Sequence, residues 1–188
     1  MMTSDVNSFV AIDVETANSD CGSICQIGVV SVEQGAIVNE WQALVDPGTP
    51  FTDRNIEIHG ITAWDVESAP TFSGIYDDVR AKLEDQVVAC HTMFDRRALR
   101  AACGIYRLDV VDCLWLDTAH VVRHSWQQFR QRGYTLDNIA NHLGIEFSHH
   151  DALEDARAAA LVLLRAVEET GLTVRQCQAG QIGRAARR

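Results

Sequence analysis

Phe9-Val10-Ala11-Ile12-Asp13-Val14-Glu15-Thr16 is the stretch on which the fold turns. Four apolar residues lead into an acid, one further apolar residue and a second acid, and a polar, turn-like segment follows from Ala17 to Gly22. A run this short with such an ending reads as a buried strand. Alternate residues of a strand point to one side, so Asp13 and Glu15 share a face with their Cα atoms roughly 6–7 Å apart. Two carboxylates at the end of a buried strand are costly unless something positive neutralises them, and a divalent cation with hard oxygen ligands does so most simply. A strand that merely ends in water is the other reading. These eight residues alone leave both open.

Working outward, Ile24 to Val32 is β-rich, Glu33 to Ala36 makes a turn, and Ile37 to Val45 alternates as a third strand. Three strands with short links predict an antiparallel meander. Asp46-Pro47-Gly48-Thr49-Pro50 breaks the pattern, and Ile56 to Thr62 shows no clear period. Thr62 is placed to cap a brief helix (Ala63 to Ser68) and Thr71 a longer one reaching Glu84. Gln86 to Cys90 reads as a buried strand, Arg96 to Cys103 as a helix closed by Gly104, and Val110 to Leu114 as a fifth strand. Helices follow over about Leu116–Trp126, over Thr135–Leu143 with Gly144 as terminator, and over Ala152–Glu169 before Gly171. A meander followed by alternating helices and strands predicts a mixed α/β sheet with helices on its faces.

The length of 188 residues fits one domain, and 47% apolar with 22% charged residues is an ordinary globular composition. A formal charge of −10 argues against a general duplex-coating protein but permits an enzyme acting on nucleic acid ends. Clustered metal-binding acids would supply much of that charge. The six cysteines show no paired C-x-x-C spacing, so zinc is not expected, and Cys90, Cys103 and Cys113 read as small buried hydrophobes. With no signal-peptide pattern and no apolar run of about 18 residues, a reduced, cytoplasmic protein without membrane contact is expected.

Three acid clusters stand out: Asp13 and Glu15, then Asp95 at a helix start, then His150-Asp151-Ala152-Leu153-Glu154-Asp155 opening the last helix. On one helix His150 and Asp155 would lie about 140° apart, so the spacing makes sense if His150 sits on the loop, free to swing, with Asp155 fixed on the helix. His149 reads as an ordinary loop histidine. Favourable placement at a helix dipole accounts for Asp95, Asp151 and Glu154 taken singly.

Taken together, Asp13-Val14-Glu15, His91-Thr92-Met93-Phe94-Asp95 and His150-x-Ala152-x-x-Asp155 resemble the DEDDh family of 3′→5′ exonucleases, proofreading-type enzymes similar to the epsilon subunit of bacterial replicative DNA polymerase III. Cys25-Gln26-Ile27-Gly28, Ile58-His59-Gly60-Ile61-Thr62 and Tyr134-x-Leu136-x-x-Ile139 support the resemblance, which spans about residues 9–168. It implies a ribonuclease-H-like fold, a mixed five-stranded sheet with helices on both sides. It sets an exonuclease domain at 1–170 and a C-terminal tail of unassigned role at 171–188, which carries Arg184, Arg187 and Arg188.

The resemblance further implies two divalent ions, magnesium or manganese, held by Asp13, Glu15 and Asp155, with Asp95 helping directly or through water. Such a pair activates an attacking water and stabilises the departing 3′ oxygen, with His150 as the general base. Nucleoside 5′-monophosphates would leave the 3′ ends of single-stranded or frayed DNA or RNA, DNA being favoured, and a DNA polymerase is a possible partner. Substrate contacts are assigned to Thr16, His59, Ile61 and Phe94, Ile61 as a wedge beside the last base with plain core packing as its alternative. Arg96, Arg97 and Arg100 recur at helical spacing near the site; one is expected to meet a phosphate and the others to be solvated surface. Thr92 stands where many members have Asn, and Ala17-Asn18 where many have Thr-Gly. A non-catalytic nucleic-acid-binding or polymerase-associated module of the same fold is the alternative reading.

Overall fold

The computed structural model describes residues 7–181. At its centre is a five-stranded sheet in the order β3-β2-β1-β4-β5. β1 (Phe9–Thr16), β2 (Ile24–Glu33) and β3 (Ala36–Leu44) form the expected antiparallel meander, with Asp13 opposite Gly28 and Glu15 opposite Gln26. β4 (Val87–Cys90) joins β1 in parallel, and β5 (Leu114–Asp117) joins β4 in parallel. Parallel neighbours need crossovers, and helices supply them. α1 (Asp53–His59) and α2 (Phe72–Leu83) lead into β4, α3 (Phe94–Tyr106) joins β4 to β5, and α4 (Thr118–Ser125), α5 (Leu136–Leu143), α6 (Ala152–Thr170) and α7 (Val174–Gln178) follow β5.

The alternation of β1 divides the core into two layers. Val10, Ile12 and Val14 face one side, where Phe72, Ile75, Val79 and Leu83 of α2 and Ala98, Leu99 and Ala102 of α3 cover them. Phe9 and Ala11 face the other, against Ala156, Ala160, Leu163 and Val167 of α6. The alanines of α6 let its axis approach the sheet closely. Its outer flank, through Ala158, Ala159 and Val162, holds α4 and α5 by way of Val122, Leu136 and Ile139. Among the described residues no helix is long and apolar enough to cross a membrane.

Four local expectations are corrected. Helix α1 shows no apolar period because it buries no residue; its signals are the caps, with Thr52 accepting from the Asn55 N–H and Gly60 left-handed at φ 75°. Residues 63–68 form successive i→i+3 turns instead of a helix, and Thr62 is held by the Asp65 carboxylate (N–H to Oδ2, 2.7 Å). Helix α3 runs through Gly104 to Tyr106, where Arg107 takes the left-handed position at φ 56°. β5 begins at Leu114 where Val110–Leu114 was expected: Val110 is exposed, whereas Leu116 is buried beside Ala89 of β4.

Beyond Gly171 the chain continues into α7, whose Val174 and Cys177 are buried in the α6 layer. A reciprocal cap fixes its start, Gln176 N–H donating to Thr173 Oγ1 and Thr173 N–H to Gln176 Oε1. Arg184, Arg187 and Arg188 lie outside the described residues.

Candidate active site

Asp13 and Glu15 continue the Phe9–Ala11 face of β1, so their carboxylates emerge on the side that α6 covers. The first turn of α6 is drawn onto the sheet at that point. Gln26 Oε1 accepts from the Ala152 N–H (3.1 Å), and a Cβ on Gly28 would overlap the Ala152 carbonyl and the Leu153 nitrogen. The Gln-Ile-Gly step of β2 is thus a seat for the helix start, which Asp151 caps by accepting from Leu153 and Glu154. Gly28→Ala is expected to destabilise the protein by about 3 kcal/mol, at the upper end of overpacking because backbone is the obstacle. Chemical denaturation measures it.

This seating brings a carboxylate oxygen of each of Asp13, Glu15 and Asp155 within 4.8 Å of the others. Burial, and then the charges of Asp95, Asp155 and Glu15, hold Asp13 well above the usual carboxylate range. Burial likewise pushes Glu15 from 4.5 up to about 8, with Asp155 and Asp95 adding to it. Three oxygen donors this close repel one another in the metal-free protein, and the same set is what a hard divalent cation takes. The residues therefore fit such an ion.

A folded-state pKa above the unfolded one means that the folded protein holds the extra proton, so stability is lost as pH rises from about 4.5 through about 8. In chelator, Glu15→Gln is expected to match the unaltered protein near pH 4.5 and to exceed its melting temperature increasingly toward pH 8. Thermal unfolding over that range gives the comparison.

Asp95 arrives from the opposite layer. β1 outlasts β4 at this end, and the Val14 N–H that β4 leaves unpaired donates to Asp95 Oδ1 (3.1 Å, buried). Asp95 is therefore anchored on the backbone between the two acids of β1, outside the close trio, and burial raises its pKa. His91 ties this corner to the next: its Nε2 donates to the Tyr134 carbonyl (2.9 Å), and its Nδ1 lies 2.9 Å from Thr118 Oγ1.

Between them Thr92 adopts φ 73°, where a β-branched residue is strained and Asn is tolerated. Thr92→Asn is expected to add about 1 kcal/mol of stability by relieving that strain. A higher denaturation midpoint with an unchanged slope would show it.

His150 sits on the loop immediately before the α6 cap, as the spacing required, but it is not free to swing. Its N–H donates to Asp155 Oδ2 (2.8 Å), its backbone is left-handed (φ 68°), and its ring stacks on His149 with centroids 3.8 Å apart. His149 is the residue that sequence reasoning missed. Its Nδ1 is 2.7 Å from Asp155 Oδ1 and its Nε2 is 3.0 Å from Asp137 Oδ1, so it braces the Asp155 carboxylate against α5. Nothing in the local sequence marks it; Asp137 reaches it only through the packing of α5 on α6.

These groups open into a cavity of about 400 Å³ lined by Asp13, Glu15, Asp95, Asp155, His149 and His150, with Ile58, Phe94, Tyr134 and Leu136 among its apolar walls. Phe94 is thus part of the cavity wall. Thr16, His59 and Ile61 do not line this cavity. Thr16 and His59 make its support: the Thr16 carbonyl accepts from Asn55 Nδ2 (2.7 Å) and lies 3.1 Å from His59 Nε2, while His59 Nδ1 accepts from the Ile61 N–H. Ile61 is buried with Ala17, Cys25 and Val66, and the neighbouring Ile58, 43% exposed, takes the wall.

The chain is 32% identical over 169 residues to the PolC-type DNA polymerase III of Thermotoga petrophila and 26% identical over 167 residues to that of Bacillus subtilis. Each alignment covers 86% of this chain and 12% of the polymerase, so the chain spans a small part of the curated relatives it matches. Among solved structures, Exonuclease X in complex with 5′ overhanging duplex DNA superposes with a TM-score of 0.76 at 25% identity, covering 93% of this chain and 98% of that one. The nuclease domain of 3′hExo, a DEDDh family member bound to rAMP, shares the fold with a TM-score of 0.70 at 21% identity, over 87% and 92% of the two chains. The RNase_T family model, whose description is Exonuclease, matches residues 10–163. From its sheet, its acids and this match over most of its length, the chain belongs to the RNase_T exonuclease family, built on a ribonuclease-H-like five-stranded sheet.

Proposed function

We propose that the domain is a metal-dependent 3′→5′ exonuclease that releases nucleoside 5′-monophosphates from single-stranded or frayed ends, with DNA preferred to RNA. The observation that carries the reading is the approach of Asp13, Glu15 and Asp155 to within 4.8 Å at the floor of an open cavity that His150 also lines. When bound there, two divalent ions (magnesium or manganese) supply Lewis-acid activation of water and charge neutralisation at the leaving oxygen.

Asp13, Glu15 and Asp155 would hold those ions, and Asp95, pinned by the Val14 N–H, would reach them directly or through water. His150 takes the proton of the attacking water; its main chain, bonded to Asp155, fixes the loop that carries the imidazole beside the acids. Phe94, Ile58 and Leu136 give the terminal base an apolar enclosure with no sequence readout. Thr16 and His59 act beneath this enclosure by holding the end of β1 and the end of α1 together.

The preference for DNA is supported by the DNA polymerase relatives and by the DNA-bound Exonuclease X neighbour. The same relatives support association with a DNA polymerase as a partner. Matched DNA and RNA strands of one sequence, labelled at the 5′ end and digested with manganese, test the preference. Faster stepwise shortening of DNA is expected, and equal or faster shortening of RNA would reverse the assignment.

A further inference from the structure

We infer that Arg96, Arg97 and Arg100 of α3 form one anchoring site for the phosphates of the substrate strand on the 5′ side of the scissile bond. The inference rests on the exonuclease reading above and replaces the expectation that a single arginine meets a phosphate.

The buried side of α3 is spent on the core, through Ala98, Leu99, Ala102 and Cys103. The three arginines share the other side with Met93 and line a groove of about 350 Å³. Residues three and four apart on a helix are neighbours, so Arg96 and Arg97 both crowd Arg100 with like charge, an arrangement that costs stability. Among the described arginines, Arg80 is matched by Glu84, Arg157 by Glu40 and Glu154, and Arg165 by Glu168, whereas Arg54, Arg107, Arg123, Arg130, Arg132 and Arg175 have no such partner. Among the described residues, Arg96, Arg97 and Arg100 have no carboxylate within 4.0 Å, in a chain with 26 acidic and 16 basic side chains. What sets these three apart is that they line one groove together, and guanidiniums so gathered offer an anion several charged donors at once.

Position makes the anion a nucleic acid strand. Thr92, Phe94 and Asp95 line the catalytic cavity, and Met93, Arg96 and Arg97 line the groove, so the first turn of α3 is the wall between them. Arg97 lies over the Phe94 ring, 5.8 Å from its centroid, bridging the two. From Phe94 to Arg100 the helix advances roughly 9 Å. A strand whose last nucleotide sits against Phe94 therefore leaves the cavity along these guanidiniums. A second arginine-bearing hollow, with Arg130 and Arg132, shares no such wall.

The test compares the unaltered domain with Arg96→Ala/Arg97→Ala/Arg100→Ala and with the corresponding triple Lys variant. Two substrates are used: a DNA strand of about 12 nucleotides, and the p-nitrophenyl ester of thymidine 5′-monophosphate, which has no upstream phosphates. Arg97 and Arg100 are exposed and Arg96 is half-buried, so these substitutions are expected to leave folding nearly unchanged, and thermal unfolding verifies it. The triple Ala variant is expected to hydrolyse the ester normally and to bind the strand more weakly, through KM and not kcat. Each lost contact to a single strand removes about 0.7 from the salt slope, so three remove about 2. Between 50 and 200 mM salt the unaltered domain should then lose about 16-fold more in kcat/KM on the strand than the triple Ala variant. The Lys variant should retain most of the salt slope.

Equal KM and equal salt slope in the Ala variant, with the ester still cleaved, would overturn the assignment and leave the arginines to a protein surface. Failure of the unaltered domain to cleave either substrate would overturn the exonuclease reading and this inference with it.

Discussion

Asp13→Asn is expected to abolish cleavage, by about 10³-fold or more, while the metal-free protein stays folded and becomes no less stable. The magnitude follows from removing a ligand worth several kcal/mol of charge stabilisation, each 1.36 kcal/mol being tenfold in rate. The sign of the stability effect follows from the site itself. Burial makes the ionisation of Asp13 costly, and the charges of Asp95, Asp155 and Glu15 add to that cost. A neutral amide of the same shape removes that repulsion. Single-turnover cleavage and thermal unfolding in chelator check the two halves; a variant that fails to fold would contradict the placement of Asp13 in a repulsive, metal-seeking cluster.

His150→Ala is expected to lower kcat by about 10²–10⁴-fold, the usual contribution of a positioned general base, with divalent-ion binding preserved. The truncation leaves the main-chain N–H that bonds Asp155 in place, so the acid trio keeps its geometry. Titration calorimetry with manganese alongside turnover separates the two effects. Unchanged turnover would remove His150 from the mechanism, and lost metal binding would make it a positioning residue for Asp155.

The parts of the fold legible in the sequence are those where local pattern and packing agree. β1 is written in its apolar run; α2, α5 and α6 are written in apolar spacing, with Thr71 and Thr135 at N-cap positions where their side chains make no cap bond, and with Gly144 and Gly171 as left-handed ends of α5 and α6. What escaped depends on partners distant in the chain. Helix α1 buries nothing, so it leaves no period to read. Val110-Val111 looks like a strand, but β4 has only Val87–Cys90 to offer, and pairing selects Leu114–Asp117.

The same division holds at the site. Asp13, Glu15, Asp95, His150 and Asp155 are recognisable as motifs, and the fold brings them to one cavity. The bracing of Asp155 by His149 requires Asp137, 18 residues upstream of Asp155 and on another helix. The exchange of Ile61 for Ile58 on the wall depends on Gly60, whose left-handed turn directs Ile61 back into the core beside Val66. The first rests on a distant partner alone, and the second on a neighbouring glycine together with the distant Val66.

The most direct test of the metal-dependent exonuclease is digestion of a 5′-labelled single-stranded DNA by the purified domain, with manganese, with chelator, and with Asp155→Ala in parallel. A ladder that shortens one nucleotide at a time from the 3′ end, present only with manganese and the intact acid, is the predicted result. A strand that stays full length in manganese, or that shortens equally in chelator or with the Asp155→Ala variant, would contradict it.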